Sequence, residues 1–157
     1  MTDKKRGDNL ILIGLPTSGK STVGVILAKA LGYEFTDIDL LIQKKEGKKL
    51  SKIMEEKGVD GFLSLEEEVT CSLSCSRTVI APGGSVIYGE KAMEHLRSLG
   101  RVIYLQMDFD MLTERLHDAR NRGVALREGQ TLESLYEERV PLYEKYADIS
   151  VNERGHA

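Results

Sequence analysis

The chain has no tryptophan, three prolines, two cysteines and three histidines among its 157 residues. Two cysteines, Cys71 and Cys75, cannot build a disulfide framework or a four-cysteine zinc site. His95, His117 and His156 show no metal-ligand spacing. The longest apolar run, Leu10 to Leu15, falls far short of the roughly 20 residues a membrane helix needs. Up to Asp8 the N-terminus is polar, and no small-residue cleavage site follows, so a signal peptide is not expected. Positive charge is not in excess either. Lys+Arg number 22 against 25 Asp+Glu, a net charge of −3, which argues against nucleic acid as the main partner. What is present, 41% hydrophobic and 30% charged residues, is the composition of a soluble globular protein. The expectation is one cytoplasmic domain spanning residues 1–157, without membrane or nucleic-acid partners.

Strand-length apolar runs alternate with helical periodicity. Asn9 to Ile13 is a continuous apolar run ended by Gly14, as suits a strand covered on both faces. Residues 20–31 follow as a helix, with Val23, Ile26, Leu27, Ala30 and Leu31 expected on its buried face and Gly32 as its stop. Further strands are predicted at 33–38, 78–81, 101–106 and 148–151. Helices are predicted at 39–46, 50–57, 61–75, 90–98, 109–117 and 131–146. Breaks are expected at Gly47 and Gly58, and Pro141 should kink the last helix or end it early. Residues 118–130, rich in Arg, Gly and Asn, read as a loop. The pattern predicts an α/β fold, a three-layer, doubly wound, five-stranded parallel sheet.

The strongest chemical signal is Gly14-Leu-Pro-Thr-Ser-Gly-Lys-Ser21, a match to G-x-x-x-x-G-K-[ST] lying between an apolar strand and an amphipathic helix. Such a loop turns successive backbone N–H groups inward to cradle phosphates at a helix N-terminus. Gly14, Thr17, Ser18, Gly19, Lys20, Ser21 and Thr22 are therefore candidate nucleotide-binding residues. Lys20 can reach the β- and γ-phosphates, and the Ser21 hydroxyl can ligate Mg²⁺.

Asp37 and Asp39 stand two apart at the predicted end of the second strand, where residues so spaced point the same way. Both carboxylates can then face the carboxyl end of the sheet, one toward a metal and one toward an acceptor hydroxyl; the plainer reading is a helix cap. Pro82-Gly83-Gly84 follows the third strand, and two glycines allow close backbone approach to a ligand. That strand ends without an Asp, which leaves Asp37 as the candidate metal residue. Arg115, Arg120, Arg122 and Arg127 crowd one stretch that could close over a nucleotide, or could be a solvated basic loop. Arg139 could grip a carboxylate by two parallel hydrogen bonds, although taken alone a surface salt bridge is the simpler reading. Cys71 and Cys75, at i and i+4, read as small buried hydrophobes on one helix face.

In this order, the pieces resemble the shikimate kinase family, a small branch of the P-loop, nucleoside-monophosphate-kinase-like fold. The resemblance runs over about residues 9–154. It implies that Lys20 and Ser21 take the phosphate and magnesium positions, Asp37 the metal-associated position and Asp39 that of the acceptor-binding carboxylate. Gly83 and Gly84 match two of three glycines beside the acceptor, and Arg139 one of two arginines on its carboxylate. Arg122 matches the lid arginine, and Arg115 is placed like the arginine that stacks on adenine. Three departures stand out: Leu63 replaces the second carboxylate-binding arginine of F-R-x-x-E, Pro82 the first glycine of the triplet, and Gly123 the lid proline.

The implied activity is transfer of the γ-phosphate of ATP, with Mg²⁺, to a hydroxyl of shikimate or a related polyhydroxy acid. Lys20, Asp39 and Arg122 would be catalytic, acceptor-binding helices would span about 39–75, and a lid about 118–129, in a monomer. The alternatives are a related kinase with a less anionic acceptor and a nucleotide-binding module without catalysis. A nucleoside-monophosphate kinase fits less well, because the helices available for a second lobe carry no arginine.

Overall fold

Five short strands, β1 (Asn9–Ile13), β2 (Glu34–Asp37), β3 (Thr78–Ala81), β4 (Gly100–Gln106) and β5 (Ile149–Asn152), pair in the order β2-β3-β1-β4-β5 in the computed structural model. Every pairing is parallel, with Leu10 opposite Val79 and Arg101, and Tyr104 opposite Ser150. Residues 6–16, 18–118 and 129–152 are described. The helices are α1 (Lys20–Leu31), α2 (Ile38–Glu46), α3 (Leu50–Cys71), α4 (Glu90–Leu99), α5 (Phe109–Asp118) and α6 (Leu132–Tyr146), with a 3-10 helix at Gly84–Tyr88.

The alternation of β1 divides the core between the two faces of the sheet. Ile11 and Ile13 join the larger cluster with Ile38, Ile53, Phe62, Met93, Leu112 and Tyr143, from α2 to α6. Leu12 faces the other way and packs with Ala28 of α1 and Val79. One helix layer is therefore thick and the other thin, which is the predicted three-layer, doubly wound arrangement.

The thin layer overturns the expected face of α1. Its buried residues are Gly24 and Ala28, while Val23, Ile26 and Leu31 are 38%, 65% and 44% exposed. The cause is the short distance between helix and sheet. A Cβ on Gly24 would lie 2.5 Å from Cε1 of Phe35, so only the smallest residues fit inward. One further expectation is corrected, and of the two outcomes expected at Pro141 the early end is not seen. Helix α3 ends at Cys71, which is exposed, and Cys75 lies beyond it and half-buried, so the two share no helix face. Helix α6 continues past Pro141 to Tyr146; Pro141 is exposed, so water can take up the carbonyl that loses its partner. The expected break at Gly58 is present inside α3, at φ 75°, where a side chain would be strained. No described helix is long and apolar enough to cross a membrane.

Asn9, 1% exposed, fixes the start of β1. Its Nδ2 donates to the carbonyls of Cys75 and Leu99, each at 2.9 Å, and its Oδ1 accepts from the Thr78 N–H at 3.0 Å. Asn9→Ala would take the partner from these three backbone groups, the Thr78 N–H in a buried position and the two carbonyls half-buried. At about 1–3 kcal/mol for a buried group left unsatisfied, with partial relaxation, we expect a loss of about 2–4 kcal/mol in urea unfolding.

Candidate active site

The phosphate loop begins where β1 ends and closes at Gly19, whose φ of 87° lies in the left-handed region that favours glycine. A Cβ on Gly14 would come within 2.9 Å of the Leu105 carbonyl and 3.0 Å of Ser18 Oγ, so the loop is packed against the end of β4. Lys20 opens α1 and folds back over the loop, donating to the carbonyls of Gly14 at 3.0 Å and Leu15 at 2.9 Å. Its positive charge is thus held at the loop mouth, beside a helix N-terminus that also favours anions. Thr22 follows on the exposed side of α1. Arg115 of α5 is half-buried and donates to Met107 Sδ at 3.7 Å, just past the end of β4. Thr17, Arg120, Arg122, Gly123 and Arg127 lie outside the described residues.

The two aspartates do not share a strand. Asp37 ends β2 and caps α2, accepting from the Leu40 N–H at 3.2 Å, whereas Asp39 sits in the first turn of α2. They separate in role at this junction. The other oxygen of Asp37 accepts from Ser21 Oγ at 2.9 Å, so cap and link to the phosphate loop are made by one carboxylate. This hard-oxygen pair, Ser21 exposed and Asp37 half-buried beside the phosphate cradle, fits a Mg²⁺ ion that keeps most of its water. Asp39 turns instead toward the loop after β3, where a Cβ on Gly83 would lie 2.6 Å from its Oδ1.

Around Gly83 and Gly84 a cluster of largely buried polar groups is assembled beside the phosphate loop. A Cβ on Gly84 would lie 3.1 Å from both Arg139 Nη1 and the Cδ of Pro16 in the phosphate loop, so the cluster and the loop share a wall. Arg139 is 1% exposed, against the simpler expectation of a surface salt bridge. Its Nε donates to the Tyr88 hydroxyl at 3.4 Å. Tyr143 donates its O–H to the Gly84 carbonyl at 2.5 Å, and burial pushes its phenol up to about 12, so the proton stays in place. Ser85 Oγ donates to Oε1 of the buried Glu66 at 2.7 Å. Burial, together with the charge of Asp39, pushes Glu66 up to about 8, against the pull of Ser85, Arg139 and Lys20.

The model of the family described as shikimate kinase matches residues 16–157. The chain belongs to the shikimate kinase family. It is 41% identical over 149 residues to a shikimate kinase of Thiobacillus denitrificans, covering 92% of this chain and 81% of that one. A shikimate kinase of Aquifex aeolicus is 38% identical over 143 residues, covering 90% and 84%. Among solved structures, the shikimate kinase of Acinetobacter baumannii in complex with shikimate superposes with a TM-score of 0.86 at 34% identity, covering 96% of this chain and 86% of the other. The fold is the P-loop, nucleoside-monophosphate-kinase-like one, and the chain is a phosphotransferase with an alcohol acceptor that uses ATP and Mg²⁺.

Within this family frame, three contributors escape sequence reading. Tyr88 carries no motif signal, and Glu66 and Tyr143 stand in motifs that assign them no individual role. Glu66 closes the F-R-x-x-E pattern that begins at Phe62, and Tyr143 lies one helical turn after Arg139 in Arg139-Val-Pro-Leu-Tyr143. Leu63 lies half-buried on α3 and lines a cleft of about 220 Å³ with Asp60, Glu66, Glu67 and Tyr88; no cation is among its lining residues. A methyl at residue 83 would displace Asp39 and Glu66 together. Gly83→Ala should therefore lower kcat/KM for the acceptor by about a hundredfold, as a misplacement of about 1 Å can, and lower the melting temperature as well, while KM for ATP stays near wild type.

Proposed function

We infer that this chain transfers the γ-phosphate of ATP to a hydroxyl of shikimate. The observation that carries the reading is the shared wall at Gly83 and Gly84, where Asp39 meets Gly83 and Arg139 meets Gly84 beside Pro16 of the phosphate loop. Asp39 orients the acceptor hydroxyl and takes its proton as the oxygen attacks. Lys20 stabilises the charge spread over the transferring phosphoryl group. Arg139 holds the acceptor's carboxylate, and its burial makes that contact strong, since little water competes. Ser21 and Asp37 hold Mg²⁺, which neutralises phosphate charge when bound. For Arg115 at the adenine, Thr17 at the phosphates and Arg122 over the transferring group, the sequence correspondence supports the assignment. Both half-sites come from one copy of the chain, which supports a monomer, and the need for ATP supports the cytoplasm. The net charge of −3 supports a small-molecule partner rather than nucleic acid.

Leu63 supports a second reading, an acceptor with less negative charge, because its cleft offers no second cation. An ADP-release assay over a panel of cyclic hydroxy acids, shikimate included, decides between the two. Shikimate-dependent turnover supports the first reading; turnover with a neutral analogue alone supports the second. Lys20→Ala should abolish acceptor-dependent ADP release and leave the thermal melt unchanged, since Lys20 is a loop-mouth cation rather than a core residue. Leu63→Arg should raise kcat/KM for shikimate by roughly ten- to hundredfold, the equivalent of a charged hydrogen bond of about 1.5–3 kcal/mol. The gain should fall on KM for shikimate, with KM for ATP unmoved, because the carboxylate is remote from the reacting hydroxyl.

A further inference from the structure

Glu66 is a buried ionisable group that the transfer reaction, as assigned above, leaves without a task. It is 2% exposed, and its Oε2 has no hydrogen-bond partner among the described residues. That oxygen is turned to the acceptor site. The Cβ position on Gly83 lies 3.0 Å from Glu66 Oε2 and 2.6 Å from Asp39 Oδ1, so two carboxyl groups converge over one stretch of bare backbone. The groups facing Glu66 are Asp39 from α2, Lys20 from α1, Ser85 from the 3-10 helix, and Arg139 and Tyr143 from α6. Only Ser85 is hydrogen-bonded to it among the described residues. One turn earlier on α3, Leu63 offers no positive charge, and the cleft it shares with Glu66 is lined by Asp60 and Glu67. A carboxylate here would be desolvated, beside a second carboxylate, with no cation in contact.

We propose that Glu66 works as a neutral acid, its carboxyl proton directed across Gly83 to Asp39, where it holds that carboxylate in the orientation that receives the acceptor hydroxyl. Glu66 is thus a positioning residue and touches none of the reacting atoms. The proposal rests on the role given to Asp39 above. No bond to Glu66 is made or broken in the cycle, and its proton stays on it. The sign of the pH dependence follows. Burial raises the group to about 8, so the proton is held below that pH and lost above it. Once ionised, Glu66 adds a second negative charge beside Asp39 and repels an anionic acceptor.

Kinetics with shikimate from about pH 6 to about pH 9.5 test this, on the wild type, Glu66→Gln and Glu66→Ala. In the wild type, kcat/KM for shikimate should fall about tenfold per pH unit above about 8, with KM rising. Glu66→Ala should lose roughly tenfold or more at pH 7, and Glu66→Gln, which keeps a neutral donor, should recover most of that loss and lack the alkaline fall. The proposal is overturned if Gln is as poor as Ala at pH 7, or if the alkaline fall persists in Glu66→Gln. An activity-independent measurement separates this from the functional reading. The infrared difference between wild type and Glu66→Gln should show the carbonyl stretch of a protonated carboxyl at pH 7 that fades as pH passes about 8. Its absence at pH 7 overturns the proposal whether or not shikimate is turned over. Its presence in a protein that never phosphorylates shikimate overturns the acceptor assignment alone.

Discussion

Beyond β3 the backbone passes through a gap with no room for side chains, and the acceptor half of the site takes its shape from that passage. Asp39 and Glu66 close on Gly83 from one side, while Arg139 and Pro16 close on Gly84. The Tyr143 hydroxyl fixes the Gly84 carbonyl, and Ser85 continues the same turn toward Glu66. Because packed interiors do not deform by small amounts, this contact transmits position. The phosphate loop, α2, α3 and α6 are all referred to the same two residues.

Charge is distributed around that passage unevenly. Arg139 is sealed from water and stays ionised, since a guanidinium does not lose its proton in a protein. Its Nε is held by a phenol, a neutral acceptor, which steadies the guanidinium without cancelling its charge. At the position of Leu63 the balance goes the other way. The cleft there is lined by three acidic residues and no basic one, so the buried Arg139 stands next to acidic surroundings that offer an anion no second cation. In such a setting, the protonation of a single buried carboxyl carries unusual weight, because low dielectric magnifies every uncompensated charge.

Much of the architecture was legible along the chain. The strands at 78–81 and 101–106 and the helix at 20–31 were read to within a residue, because each is bounded by glycine, proline or a change of hydrophobic period. The phosphate loop was legible for a stronger reason: its chemistry needs glycines at fixed spacing before a lysine. The buried face of α1 was not. Periodicity finds the apolar stripe, but the narrow space against Phe35 admits Gly24 and Ala28 and leaves Ile26 outside. The pairing of Asp37 with Asp39 was half right. The predicted strand runs one residue too far, to Ile38, and the true junction places Asp39 in the first turn of α2 and sends the carboxylates to different partners.

The sequence by itself determined what neighbouring residues decide among themselves: the alternation of strand and helix, the phosphate cradle, the breaks at Gly47 and Gly58, and the family motifs. Only the tertiary structure decided which residues meet across long separations. It buried Arg139 beside Tyr88, set Glu66 opposite Asp39 over Gly83, and gave Asn9 three backbone partners from α4 and the β3 approach. The physical reason is that burial and close approach belong to pairs brought together by the sheet. A carboxyl group's neighbours, and with them its charge, are therefore written in the packing of the chain and not in its order.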